Sequence, residues 1–311
     1  MAAAGKGQVM EGQQAEPLAA LLGRAWRVRR ANFPDQITWS LPLDTAVLSL
    51  TGEACALDCA HCGGVYLRSM RPIWDAEPDS SSSCLISGGC DRLGRVPVLS
   101  HLDRVRAWRE GRRMNWHVGL ISEPEISAIA GLVDVVSFDF VGDEETIREV
   151  YGLDRTVEDW AQTYQLLQRY ARVVPHVTIG LRGGRLGHER PALERLEELG
   201  ADTVVFLVLV PTPGTRYAGC TPPRVEEVAC LVVEARLRLR ASTLILGCMR
   251  PRGAYRTSLD ELAVRAGING IVSPAHRAKR LAAELGLSSL VQRECCAFES
   301  PPPPLLVPAS L

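Results

Sequence analysis

The stretch "TGEACALDCAHCGG", Thr51 to Gly64, sets Cys55, Cys59 and Cys62 four and then three residues apart, with His61 ahead of the third and a glycine pair behind it. Thiolates at this density are soft metal ligands. The C-x3-C-x2-C spacing differs from the C-x2-C pairs of zinc ribbons, and a structural zinc ion would need a fourth ligand at a comparable distance. His61 is the nearest candidate, but it lies inside the loop, where chelating the same ion would strain the chain. Three thiolates can instead hold three irons of a [4Fe-4S] cube and leave the fourth iron open to a substrate or cofactor. A non-catalytic iron or zinc protein, acting as sensor or assembly module, could use the same thiols, and that reading stays open here.

Such a loop needs a frame, and the chain supplies one by alternation. Eight apolar, β-rich runs stand out: "TAVLSL", "CLIS", "WHVGLI", "VDVVSFDF", "HVTIGL", "DTVVFLVLV", "STLILG" and "GIVS". Helical patterns such as "LDRVRAWREGR", "VEDWAQTYQLLQRYA", "PALERLEELG", "VEEVACLVVEARLRLR" and "AHRAKRLAAELG" lie between them, with apolar residues every three or four positions. Strands alternating with helices imply an α/β fold with a parallel sheet, and eight strands favour a closed (β/α)8 TIM-type barrel. The cysteine loop follows the first run directly and so falls at the face where such barrels carry chemistry. The expected division is an N-terminal helical extension over residues 1–42, a barrel over 43–290, a cysteine segment over 291–300 and a disordered Pro-rich tail over 301–311.

Bulk composition narrows the partners. The 311 residues carry 35 basic and 36 acidic side chains, so no net field holds a polyanion and nucleic-acid binding has no compositional support. No segment is apolar over the roughly 20 residues a bilayer crossing needs, and no secretory leader is evident. Ten cysteines in a chain of this length fit metal or redox work in a reducing, cytoplasmic setting better than a disulfide framework.

With its triad after the first strand, the chain resembles the radical S-adenosylmethionine (SAM) superfamily. The resemblance implies a [4Fe-4S] cluster on Cys55, Cys59 and Cys62 whose open iron chelates SAM. It implies cleavage of SAM to a 5'-deoxyadenosyl radical that activates a C–H bond. His61 stands where an aromatic residue touches the adenine. Gly88 and Gly89 of "ISGGCD" match the turn that approaches the SAM amino group, with Cys90 where an acid is common. Asp139 and then Asp143 of "SFDFVGDEE" are the candidates for the ribose hydroxyls, Asp143 being equally suited to capping a helix. Gly180 and Gly184 of "IGLRGGRLGHE" correspond to the strand beneath the adenine.

Within the superfamily, "VFLVLVPTPGTRYAG" and "LILGCMRPRG" are similar to segments of biotin synthase and its lipoyl synthase relatives. The interior strands lack the cysteines of a true biotin synthase. Cys90, Cys248, Cys295 and Cys296 are the candidate ligands of an auxiliary cluster. By resemblance the chain would insert sulfur into an octanoyl group as one subunit of a split lipoyl synthase, with a small or carrier-bound acyl substrate, an electron donor and a second radical SAM subunit as partners. A radical SAM mutase or ring-cleaving enzyme, of the methylornithine synthase or hydrogenase-maturase kind, is the alternative and would need no second cluster.

Overall fold

The computed structural model describes residues 16–298. The Pro-rich tail at 301–311 lies outside the described residues. The strands are β1 (Gln36–Ser40), β2 (Thr45–Ser49), β3 (Arg71–Pro72), β4 (Ser83–Ser87), β5 (Arg113–Trp116), β6 (Val135–Asp139), β7 (Arg172–Ile179), β8 (Thr203–Val208), β9 (Thr243–Leu246), β10 (Gly270–Val272) and β11 (Ser288–Gln292). The helices are α1 (Leu18–Asn32), α2 (Leu102–Arg109), α3 (Glu123–Ile129), α4 (Glu144–Thr146), α5 (Val157–Gln168), α6 (Glu189–Glu198), α7 (Val225–Arg238), α8 (Ala254–Arg265) and α9 (His276–Glu284).

Local chemistry starts several of these elements. Ser122 with Glu125 and Thr156 with Asp159 form reciprocal capping boxes that satisfy the first free N–H groups of α3 and α5. Helix α1 buries Leu22, Ala25 and the Arg29 side chain, whose guanidinium donates to the carbonyls of Pro34 and Gln36 and so ties the helix to the start of β1.

All neighbouring strands are parallel, in the order β11-β1-β10-β9-β8-β7-β6-β5-β4-β2-β3. The eight runs read from the sequence are β2 and β4 to β10. The closed (β/α)8 barrel is corrected to a curled, open parallel half-barrel. Strand β1 carries β10 on one edge and β11 on the other, which leaves no edge for β2. The seam is bridged by single hydrogen bonds instead. Asp44 N–H donates to Arg293 O at 2.9 Å, and Cys295 N–H reaches the Thr45 hydroxyl at 2.9 Å.

Alternation along each strand separates two surfaces. Val136, Phe138, Val177, Ile179, Val204, Phe206, Leu244 and Leu246 point outward into the main core beneath the helices. Val135, Val174, Val205, Ile245 and Val272, one from each of five adjacent strands, point into the lumen and pack there against Cys296, Ala297 and Phe298. The chain after β11 is therefore a plug at the strand starts. Arg172 holds it by donating to Ala297 O at 2.9 Å, and the Arg113 guanidinium stacks 4.5 Å from the Phe298 ring centre. The lumen is not lined by apolar side chains alone. Its wall is apolar around the plug, but by the same alternation Asn115, His117, Ser137, Asp139 and His176 make it polar on β5, β6 and β7. No helix among the described residues is long and apolar enough to cross a membrane.

Candidate functional site

The cysteine loop leaves β2 at Leu50 and folds against the turn after β4. Thr51 makes the connection: its hydroxyl accepts the Gly89 N–H at 2.7 Å. A Cβ on Gly89 would lie 2.0 Å from Ala54 O and 2.6 Å from Cys55 Cα, so this position tolerates glycine alone. Gly88 faces Thr51, where a Cβ would sit 3.2 Å from the side chain. Behind the triad, Gly63 and Gly64 take left-handed φ values of 49° and 76°, which turn the chain so that the Gly64 and Tyr66 N–H groups donate to the Cys62 sulfur.

The three thiols lie within electrostatic reach of one another. Burial, then Cys62, Cys55 and Cys90, push the Cys59 thiol well above its usual range. Burial raises Cys62 as well, against the two backbone donors. Cys90 is pushed up to about 12, by burial first and then by Cys55, Asp91, Asp139 and Cys62. An adjacent cation site would reverse this, because thiolates crowded in a desolvated loop are stable when metal-bound. Among the described residues no three His, Cys, Asp or Glu side chains are grouped to hold a single metal ion. A cube asks for a different arrangement, since each thiolate meets its own iron. The donor set and the backbone N–H groups on Cys62 fit a [4Fe-4S] cluster on Cys55, Cys59 and Cys62, and the close packing of Gly89 on Ala54 and Cys55 fixes the first ligand's backbone.

The rim around the loop is aromatic and acidic. His61 packs edge-on against Tyr151, ring centres 5.7 Å apart, and its buried Nδ1 has no hydrogen-bond partner among the described residues. Burial lowers its pKa to about 4, so the ring is neutral. Tyr151 ends a π-helical turn, Ile147–Tyr151, whose Val150 carbonyl accepts from Ala60 N–H at 2.7 Å. Its hydroxyl is raised by burial and by the charges of Asp139, Cys59, Cys62 and Cys90, which places it among all four groups. Asp139 ends β6 and opens into the lumen, where burial raises its pKa and His176 opposes the shift.

No family model matches the chain. It is 24% identical over 280 residues to a biotin synthase from Ruthia magnifica subsp. Calyptogena magnifica, covering 82% of this chain and 83% of that one. Its fold is similar to that of methylornithine synthase (PylB), with a TM-score of 0.62 and 13% identity over 89% of this chain and 90% of that one. The FeFe-hydrogenase maturase HydG from Carboxydothermus hydrogenoformans gives a TM-score of 0.62 and 15% identity, over 89% of this chain and 73% of that one. The chain resembles the radical SAM proteins. The likeness is of the biotin synthase type, as the sequence motifs imply.

The remaining residues singled out from this radical SAM resemblance have varied places. Asp143 is the N-cap of α4 and accepts the Thr146 N–H at 2.6 Å. Gly180 and Gly184 allow close approach of their own neighbours: a Cβ on Gly180 would stand 2.3 Å from Pro223, and one on Gly184 1.8 Å from Thr221 O. Buried Glu189 secures that turn by accepting from Gly180 N–H at 2.7 Å and Gly187 N–H at 2.6 Å.

Of the four outlying cysteines, Cys90 sits with the triad, its carbonyl accepting from Ala56 N–H at 2.8 Å. Cys296 is buried in the apolar plug. Cys295 faces the lumen floor, its sulfur 3.3 Å from Asn115 Nδ2. The Asn115 carbonyl oxygen is taken by the Ser137 hydroxyl and N–H, so its amide presents a donor to the thiol. The Cys295 thiol is lowered to about 7, first by its bond with Cys296 and then by the Ala297 N–H and Asn115. Cys248, an exposed residue past the end of β9, has its thiol raised by local desolvation and then by Cys295. Cys248 and Cys295 are electrostatically coupled, while Cys90 stays with the triad. Sequence reading missed Thr51, Tyr151, Asn115, His117 and His176. Thr51 stands inside the cysteine stretch without a ligand's side chain, Tyr151 arrives by the π-helical turn, and Asn115, His117 and His176 converge through strand register.

Proposed function

We propose that this chain is a radical SAM enzyme that inserts sulfur into an octanoyl chain, in the manner of a lipoyl synthase. The observation that carries the substrate class is the lumen. Above the plug, which covers Val135, Val174, Val205, Ile245 and Val272, its wall carries the Cys295 thiol beside Asn115 together with Ser137, Asp139 and His176. The nearest cations, Arg113 and Arg172, are engaged with the plug and with Glu294 and Thr203. That arrangement favours an uncharged chain over the zwitterionic substrate of an amino-acid mutase. The Cys295 thiol on the lumen floor, electrostatically coupled to Cys248, supports sulfur chemistry, and these two are the proposed core of an auxiliary ligand set.

When bound, the cluster and SAM supply a 5'-deoxyadenosyl radical that removes hydrogen from an unactivated carbon. The protein's own contribution is positional. Cys55, Cys59 and Cys62 hold the cluster, Thr51 and Gly89 fix its loop, and His61, Tyr151 and Asp139 border the space between loop and lumen. The curled sheet excludes water from the lumen and orients the chain lengthwise. An electron donor, a carrier-bound acyl group and a second radical SAM subunit are the proposed partners, in a cytoplasmic setting that keeps all ten cysteines free.

Iron counting after anaerobic reconstitution tests the sulfur reading: about eight irons per chain supports a second cluster, and about four supports the mutase. Replacing Cys295 and Cys248 by Ala should halve the iron, leave SAM cleavage intact and abolish thiolated product. Full sulfur transfer by that double variant would overturn the assignment.

A further inference from the structure

The segment "PTPGTRYAG" in the loop after β8 supplies none of the three cysteine ligands, yet it closes over the middle one. The peptides on either side of Cys59 are both gripped from outside the cysteine stretch. On one side the Asp58 carbonyl accepts from the Arg216 guanidinium at 3.0 Å. On the other, the Tyr217 N–H donates to the Ala60 carbonyl at 3.0 Å, and the Ala60 N–H donates to the Val150 carbonyl at 2.7 Å. The other two ligands are held differently. Cys55 lies against the turn after β4, where Ala56 N–H donates to Cys90 O at 2.8 Å, and Cys62 N–H donates within its own loop to Cys59 O at 3.1 Å.

Arg216 is the part of this grip that spans two elements. Its Nη2 also reaches Val150 O at 3.3 Å and its Nη1 reaches Glu149 O at 3.4 Å, both on the π-helical turn that carries Tyr151. A planar guanidinium can bridge carbonyls of two segments at once, which an ammonium on a flexible stem does poorly. Beside it the Tyr217 hydroxyl donates to the Glu149 carboxylate at 2.7 Å, and Arg185, from the loop after β7, donates to the same carboxylate at 2.7 and 2.9 Å. The Glu149 charge is thus taken up by Arg185. Arg216 forms no ion pair among the described residues and sets its charge against backbone carbonyls. Burial is the first cause that raises the Cys59 thiol, with Cys62, Cys55 and Cys90 adding to it, and Arg216 is the cation that opposes them. One-electron reduction by the external donor adds a negative charge to a site already held by three thiolates, so a cation one peptide away favours the reduced state.

We infer that Arg216 is a positioning residue for Cys59 that also raises the electron affinity of the cluster site. It ties the second ligand's peptide to the loop after β8 and to the π-helical turn, and its charge favours the reduced state needed for SAM cleavage. This goes beyond the acyl-chain reading and does not depend on it; it rests on a cluster at the triad.

The test compares reconstituted wild type, Arg216→Gln and Arg216→Lys by two readouts other than activity: the midpoint potential from a spectroscopic reductive titration, and the rate of iron release to excess chelator. Arg216 is exposed, so both are run at low ionic strength, where its charge is least screened. Arg216→Gln should shift the potential to more negative values and release iron roughly tenfold faster. Arg216→Lys should keep the potential near that of the wild type, because the charge is retained, while releasing iron faster because the fork is lost. Wild-type potential and iron release in Arg216→Gln would overturn the proposal, as would a Lys variant whose potential falls as far as that of the Gln variant. Faster iron release from both variants with the potential unmoved would also overturn it, leaving Arg216 a packing contact. A wild type that takes up no four-iron cluster would instead contradict the cluster reading itself, and the inference with it.

Discussion

A methyl group at Gly89 would press into the Ala54 carbonyl and the Cys55 backbone, neither of which is the free end of a flexible side chain. Gly89→Ala should therefore displace the first cluster ligand, lower stability by about 1–3 kcal/mol and cut iron loading. Gly131→Ala, where a Cβ meets nothing within 4 Å, is the control and should load normally. Buried His176 gives a second expectation. His176 falls from about 6.5 in the unfolded chain to about 4 in the fold, so the unfolded state binds the extra proton between those values. Its contribution is intact above pH ~6.5, is lost as pH falls toward 4 and changes no further below that, with a slope of up to about 1.4 kcal/mol per pH unit. Urea titrations of the wild type and His176→Phe between pH 4 and 7 should show the wild type losing stability more steeply toward acid; parallel curves would contradict the neutral assignment.

At the scale of elements, the C-terminal segment after β11 performs two tasks, bridging the β11–β2 seam and filling the base of the lumen. Phe298 is 7% exposed among five inward side chains, so Phe298→Ala should cost roughly 3–5 kcal/mol in denaturant unfolding. A cost below 1 kcal/mol would mean that the plug is not part of the core. This plug was not legible in the sequence: "QRECCAF" reads as a cysteine segment, and nothing in its pattern says that it turns inward. The β-rich runs were legible because alternating apolar strands and amphipathic helices leave a strong periodic signal. The run "WHVGLI" was legible only in part. Its strand is Arg113–Trp116, and the chain turns away at Gly119, where a Cβ would stand 2.1 Å from Gly94 O; Val118, Leu120 and Ile121 are apolar because they pack the loop. Strand β1 hid in the N-terminal extension because "QITWS" is short and has no helix before β2.

For the whole molecule, the sequence carries the cluster loop almost completely, since ligand type and spacing are local properties. It carries the walls of the site poorly. Tyr151 arrives by a π-helical turn, and His117, Asp139 and His176 meet through the register of three strands, which no local pattern encodes. The half-barrel unites these parts: one open end holds the thiols of Cys55, Cys59 and Cys62, the lumen carries His117, Asp139 and His176, and the plug covers the apolar base. The central claim is that the three cysteines act as one unit to hold a SAM-cleaving cluster. It is tested most directly by reconstituting the wild type and Cys59→Ala anaerobically with iron and sulfide, reducing both, adding SAM and measuring 5'-deoxyadenosine. The wild type should produce it and the variant should produce none, because two thiolates hold a cube poorly in water. A Cys59→Ala protein that cleaves SAM at the wild-type rate, or a fully reconstituted wild type that yields no 5'-deoxyadenosine, would contradict the assignment.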